Sequence, residues 1–182
     1  MTFTETSIPD SFIIDMQKHG DDRGWFSRTF CKEEFKQINH HAEWVQMNHS
    51  FTKQKGTVRG MHYQNQPHAE IKLIRCIAGA VYDVVVDIRR NSSTFLKWFG
   101  VELSANNGKM IYVPQGFAHG FQTLTDNVEL IYHHSSFFVP NVEGGIKYDD
   151  PTIKIKWPLE ITNTSERDKK HDLLTENFIG IE

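Results

Sequence analysis

β-Branched and aromatic residues recur along this chain in short runs, and a turn signal closes each one. The clearest runs are Lys72 to Ile77, Ala80 to Ile88, Phe95 to Leu103, Lys109 to Val113, Gly120 to Thr123 and Val128 to His134. Between them lie Ala78-Gly79, Arg90-Asn91-Ser92-Ser93, Ala105-Asn106-Asn107-Gly108, Pro114-Gln115-Gly116 and Asp126-Asn127. These residue types accept left-handed backbone or preset φ at a tight bend, so each reads as a turn between strands. Many short strands with close turns and little helix predict an all-β fold of two antiparallel sheets, a sandwich or small barrel whose lumen holds a ligand. Helical signal is sparse: a short helix over Lys32 to Gln37, and another over Glu166 to Leu174 with Ser165 as its N-cap.

A length of 182 residues supports one substantial core, and the expectation is a single domain over residues 1–182. The net charge of -3 and pI near 6.4 provide no basic field, which argues against nucleic acid as a partner. A local cluster of Arg and Lys still suits a small anion. The opening MTFTETSIPDSF lacks the basic-then-apolar pattern of a leader, and nothing approaches the ~20 apolar residues of a spanning helix. The expected location is the cytoplasm, with no membrane partner. Cys31 and Cys76 are far apart and read as reduced packing thiols.

Two islands carry chemistry. In the first, Arg59-Gly60-Met61-His62-Tyr63-Gln64 precedes Lys72 and a strand holding Asp83 and Asp87, which share a face because side chains alternate along a strand. Buried acids need partners, and Asp87, beside Ile88-Arg89-Arg90, reads as a rim or turn residue. The second island is Val113-Pro114-Gln115-Gly116-Phe117-Ala118-His119-Gly120-Phe121, where a tight turn delivers a histidine into an apolar strand. Read singly, His119 is a structural histidine, Tyr132 a cross-strand aromatic and Asp168 a solvated acid at a helix start. Together, two histidines, a lysine, an arginine and a tyrosine on one barrel are the residue types of a proton-transfer site for an anionic substrate.

From about Ser7 to Asp168 the chain resembles the dTDP-4-dehydrorhamnose 3,5-epimerases, cupin-fold enzymes of the rhamnose pathway. The resemblance rests on Asp22-Arg23-Gly24-Trp25-Phe26, Gln46-Met47-Asn48-His49-Ser50, the two islands, Lys72-Leu73-Ile74, Tyr82 to Arg89, Ser93-Thr94-Phe95, Tyr132, Asp149-Asp150-Pro151 and Trp157-Pro158. Each match is weak alone; their joint order and spacing are specific. The resemblance implies a cupin or jelly-roll barrel with minor helices, mainly C-terminal. It implies His62 as base in a dyad with Asp168, Lys72 beside the substrate C4 oxygen, Tyr132 as the proton donor on the opposite face, and His119 as a second active-site histidine oriented by Asp83. Arg23, Phe26, Gln46, Asn48 and Arg59 match positions that hold the nucleotide and its diphosphate. The implied enzyme is a cofactor-independent isomerase that inverts C3, C5 or both of a nucleotide-linked 4-keto-6-deoxyhexose, with dTDP-4-dehydro-6-deoxyglucose as first substrate. It further implies a homodimer in which the N-terminal segment completes the partner's site.

Two positions depart from the family pattern. Arg28 stands where the family places an acid, and Phe138 where it places an aromatic hydroxyl. Both are nucleotide-side positions. A guanidinium only donates hydrogen bonds and suits the acceptor edge of cytosine, which makes a CDP-linked sugar the alternative substrate. The alternative of another class is a metal-dependent cupin oxygenase or isomerase. Gly108 to His119 fits the second cupin motif, but His62-Tyr63-Gln64 supplies one imidazole where the first motif wants two, so no metal is expected. A non-catalytic sugar-nucleotide-binding domain is the third reading, and it gives no reason for His62, Lys72, Tyr132 and Asp168 to occur together.

Overall fold

In the computed structural model, which describes residues 1–181, the short runs pair into thirteen strands. They are β1 (Thr2–Glu5), β2 (Phe12–Asp15), β3 (His19–Asp21), β4 (Gly24–Phe26), β5 (Gln46–Thr52), β6 (Val58–Gln64), β7 (Lys72–Ala78), β8 (Ala80–Asp87), β9 (Trp98–Ser104), β10 (Lys109–Val113), β11 (Phe117–Thr123), β12 (Val128–His134) and β13 (Glu143–Gly145). A six-stranded sheet runs β1-β2-β10-β7-β12-β5, a five-stranded sheet β13-β6-β11-β8-β9, and β3 pairs only with β4. All of these strand pairings are antiparallel.

The apolar core lies where the two large sheets face each other. Ile13, Ile74, Cys76, Ile111 and Leu130 project from the six-stranded sheet against Val81, Val85, Leu103, Phe117 and Phe121 from the other. The outer faces are covered too. Residues 146–181 lay Ile146, Ile153, Trp157 and Phe178 over Met61, Val84 and Val86. The helical turn α1 (Lys32–Phe35) covers Ile14, Leu73, Met110 and Tyr112 with Phe35. Burial on both faces explains why β8 reads Val-Val-Val rather than as a clean apolar and polar alternation. Phe35 is fully buried, worth about 1.5–3 kcal/mol in apolar transfer.

Several boundaries differ from the sequence expectation for visible reasons. β9 starts at Trp98 rather than Phe95, because Ser92 to Lys97 form a turn tied to Asp87, whose carboxylate accepts from Ser92, Thr94 and Arg89. Asp87 is thus a rim residue, the last of β8 and opposite Phe117 of β11, but a buried one. β11 starts at Phe117, before Gly120. The first helix turns into a 3-10 turn over Lys36–Ile38 and stops at left-handed Asn39. The second, α2 (Glu166–Lys169), is capped by Ser165 as expected but stops well before Leu174, whose N–H is taken by the Asp150 carboxylate at 2.7 Å. Helix is therefore split between the two ends of the chain, and most of the C-terminal part is irregular. Its last described residue is docked, with Ile181 hydrogen bonded to Ile88 and Arg90. Both cysteines are free thiols. Among the described residues no helix is long and apolar enough to cross a membrane.

Candidate active site

A cavity of about 550 Å³ opens between the two large sheets. Strand alternation sets its walls. On the six-stranded sheet, Gln46, Asn48 and Ser50 of β5 stand at every second position, next to Tyr132 and His134 of β12 and Lys72 of β7. The facing wall carries Arg59 and His62 of β6 and His119 of β11.

His62 and Asp168 form a short pair, Nε2 to Oδ1 at 2.7 Å. The second carboxylate oxygen accepts from the Gly60 N–H at 3.2 Å, and Asp168's own N–H is held by the Ser165 cap at 3.0 Å. Burial pushes the Asp168 carboxyl up, but these hydrogen bonds and the His62 charge outweigh it and hold the acid below its ordinary range. An anionic Asp168 on Nε2 fixes the tautomer and leaves Nδ1 of His62 to take a proton. Gly60 has φ of +126°, and a Cβ there would lie 2.5 Å from Gly120 Cα, so only glycine lets β6 approach β11 this closely.

His119 and Asp83 form a second pair of different character. Nε2 of His119 lies 2.9 Å from both Asp83 oxygens, and Asp83 is fully buried behind the imidazole. Burial pushes its carboxyl up, opposed by His119 and Lys72. Tyr132 OH lies 3.3 Å from Ser50 Oγ, and burial pushes its phenol up, so it is protonated at neutral pH. Lys72 Nζ sits 3.1 Å from Glu70 Oε1 and 3.4 Å from the His62 carbonyl oxygen.

Of the residues singled out from sequence, His62, Tyr132, Asp168, Lys72, His119, Gln46, Asn48, Arg59 and Phe138 line this cavity, with Asp83 directly behind. Arg23, Phe26 and Arg28 do not reach it within one chain. Arg23 and Phe26 sit on the exposed β3–β4 hairpin, where Arg23 pairs with Asp21 and Phe26 is 74% exposed. Arg28 is paired with Glu34 at 2.7 Å, and Glu34 also holds the N-terminal amine.

Glu70, His134, His171 and Arg167 join the site without having been singled out from sequence. The first two were legible in principle: each lies two residues from a singled-out neighbour, Lys72 or Tyr132. His171 packs against His62 with centroids 5.8 Å apart, and Arg167 makes a two-pronged pair with Glu143 at the cavity edge. His62, Asp168 and His171 place one possible metal-ligand atom each within 4.8 Å of one another. That set is not the one the cupin motifs specify, since His119 of the second motif is bound to Asp83 instead. A metal on His62 Nε2 would also displace the hydrogen bond to Asp168.

Residues 5–176 match the family described as dTDP-4-dehydrorhamnose 3,5-epimerase. The chain belongs to that family. A dTDP-4-dehydrorhamnose 3,5-epimerase of Shigella flexneri is 43% identical over 169 residues, covering 92% of this chain and 93% of its relative. Among solved structures, the epimerase of Legionella pneumophila in complex with dTDP-4-keto-L-rhamnose superposes with a TM-score of 0.90 at 37% identity, covering 94% of this chain and 92% of that one. A 3'-monoepimerase of Streptomyces bikiniensis in complex with dTDP-quinovose superposes with a TM-score of 0.85 at 32% identity, covering 92% and 85%. The chain is accordingly an epimerase of the isomerase class on a cupin-like fold. The same fold carries both 3,5-epimerases and a 3'-monoepimerase.

Proposed function

We propose that this epimerase inverts C3, C5 or both of a nucleotide-linked 4-keto-6-deoxyhexose, with dTDP-4-dehydro-6-deoxyglucose converted to dTDP-4-dehydrorhamnose. The observation that carries the proposal is the placement of base and acid on opposite sheets of one cavity. The His62–Asp168 pair stands on the β6 wall and protonated Tyr132 on the β12 wall, with Lys72 beside them.

Nδ1 of His62 takes the proton alpha to the ketone, and the C–H electron pair moves into the carbonyl as an enolate. Lys72 faces the developing charge on oxygen, where a fixed ammonium stabilises the transition state more than the ground state. Tyr132 then gives its proton to the opposite face of the same carbon, and solvent restores both groups. Asp168 stabilises the imidazolium in between. His119, held by Asp83, shapes the wall beside Tyr132, with ring centroids 6.4 Å apart. Arg59, Gln46, Asn48 and Phe138 hold the nucleotide diphosphate. Arg23, Phe26 and Arg28 enter the site of a second copy in a homodimer, which gives the exposed β3–β4 hairpin a surface to cover. No metal or nicotinamide takes part. The enzyme works in the cytoplasm, where activated sugars are made.

Thymidine is the favoured base. The cytidine alternative needs Arg28 to read a base edge, whereas the sugar nucleotides bound by the similar solved enzymes are thymidine-linked. Incubation in deuterated water with dTDP-, UDP- and CDP-linked 4-keto sugars, with chelator present, tests these points together. Deuterium is expected at C3, C5 or both of the dTDP sugar. Absence of label from every sugar overturns the reading, a preference for the CDP sugar moves it to cytidine, and activity lost to chelator and restored by one divalent metal moves it to a metal-dependent isomerase.

A further inference from the structure

Glu70 and His134 are cavity-lining groups that the reaction above does not use. Glu70 is 9% exposed at its side chain and His134 10%. His134 lies across the sheet from Lys72 on one side and Gln46 on the other. Its Nδ1 is 2.7 Å from Glu70 Oε2, and its Nε2 is 3.3 Å from Asn48 Nδ2. Burial pushes the Glu70 carboxyl up, but the His134 hydrogen bond and the Lys72 charge outweigh it and hold the acid below its usual range.

The direction of every bond in this group follows from its two ends. The Phe138 N–H can only donate, so Gln46 Oε1 accepts it at 3.0 Å, and Gln46 Nε2 donates to Asn48 Oδ1 at 3.2 Å. Asn48 then presents its NH₂ to Nε2 of His134, which must be bare. From the other end, the Lys72 ammonium can only donate and the Glu70 carboxylate can only accept, so Nδ1 of His134 must carry the proton. Both ends require the same tautomer.

We infer that Glu70 and His134 are positioning residues for this reaction, joining Lys72 to Gln46 and Asn48 through a chain of hydrogen bonds whose donors converge from both ends on the Glu70 carboxylate. The inference rests on the roles proposed above for Lys72 at the enolate and for Gln46 and Asn48 at the nucleotide. Glu70 aims the ammonium, and His134 passes the same orientation to the amides. Glu70→Gln reverses the chain: the oxygen of the substituted amide must serve Lys72, its NH₂ meets Nδ1, and His134 shifts its proton to Nε2, where it meets the Asn48 NH₂.

Long-range proton–nitrogen spectra of histidine-labelled protein read the tautomer directly. The expected result is a protonated Nδ1 and bare Nε2 for His134 in wild type, reversed in Glu70→Gln. In kinetics, Glu70→Gln is expected to lower kcat about tenfold and to raise dTDP Kd about threefold, because it loses the charged hydrogen bond to Lys72 and sets two donors face to face at Asn48. His134→Phe keeps the ring stacked on Tyr132 and is expected to lower kcat about tenfold and raise dTDP Kd about threefold. In the double variant the kcat losses overlap, ending within about twofold of the weaker single variant rather than about a hundredfold below wild type. A protonated Nε2 in wild type, unchanged kcat in both single variants, or losses that multiply overturn the inference. Wild type that labels no nucleotide-linked 4-keto sugar overturns the epimerase reading instead, while the tautomer spectrum, which needs no turnover, still decides the chain of bonds.

Discussion

His62–Asp168 and His119–Asp83 are the same two residue types, facing one cavity, held in opposite ways. The His62 side chain is 25% exposed, and its pair rests on a single 2.7 Å bond; the His119 side chain is 6% exposed and lies 2.9 Å from both oxygens of a fully buried acid. The His62 hydrogen bond and charge, with the Gly60 N–H, keep Asp168 anionic, whereas burial pushes Asp83 toward its protonated form. In the proposed mechanism the first arrangement stabilises an imidazolium that forms during the reaction. The second locks a ring in place. Residue identity alone assigns neither role; solvent access and the donors around each carboxylate do.

The largest expected effect separates the two histidines. His62→Ala is expected to slow carbon–deuterium exchange by about 10^3-fold, within the usual range for loss of a general base, and His119→Ala by only about tenfold. Measured exchange rates that reverse this order exchange the two roles. Asp168→Asn comes next, with an expected loss of about 10- to 100-fold, since the base remains but loses its orienting anion. Exchange in Asp168→Asn as slow as in His62→Ala would mean that the carboxylate does more than orient.

Tyr132→Phe tests the wall opposite the base. Exchange is expected to persist within about tenfold of wild type while net inversion falls further, because abstraction and return use different groups. Mass spectrometry of recovered substrate and product distinguishes exchange with retention from inversion, and an equal fall in both assigns Tyr132 to sugar positioning.

The smallest effect is on stability, and its sign differs between the pairs. Asp168 has a depressed folded-state value, so its contribution is present above the ordinary carboxylate range and lost as pH falls through the depressed one. Asp83 has a raised value, so it favours the fold while protonated, and that contribution fades as pH rises through the raised value. Urea unfolding across pH is expected to show Asp168→Asn flattening the acid loss and Asp83→Asn steepening the rise toward neutral pH, each by about 1 kcal/mol or less. Shifts of the same sign in both variants would break the contrast.

The legibility of these parts from sequence follows from periodicity. β7, β8, β10 and β12 are short apolar-rich runs containing β-branched residues between turns, and their boundaries agree with expectation within one residue. β3 and β4 are three residues each and exposed throughout, so no buried face imposes a pattern on them. In β6 the Arg-Gly-Met-His sequence reads as chemistry before it reads as a strand, because glycine and charge interrupt the apolar signal. His62, Lys72 and His119 stand out through their motifs. Asp168 can be tied to His62 only by resemblance, since 106 residues separate them and nothing local reports that α2 returns to β6. Glu70 and His134 belong to no motif, and their pairing depends on β12 lying beside β7, which strand order alone supplies.

The same separation bears on the order in which the protein is made. All thirteen strands precede Asp168 in the chain, so a growing polypeptide can complete the pairing of both sheets while His62 still lacks its partner. A ribosome-bound chain, or one clipped after Ile153, would carry the strands of both sheets and Tyr132 without Asp168 to orient the proposed base. In the proposed mechanism, catalytic competence waits on a segment made after every strand described, and turnover reports the docking of residues 164–171 rather than the closure of the sheets.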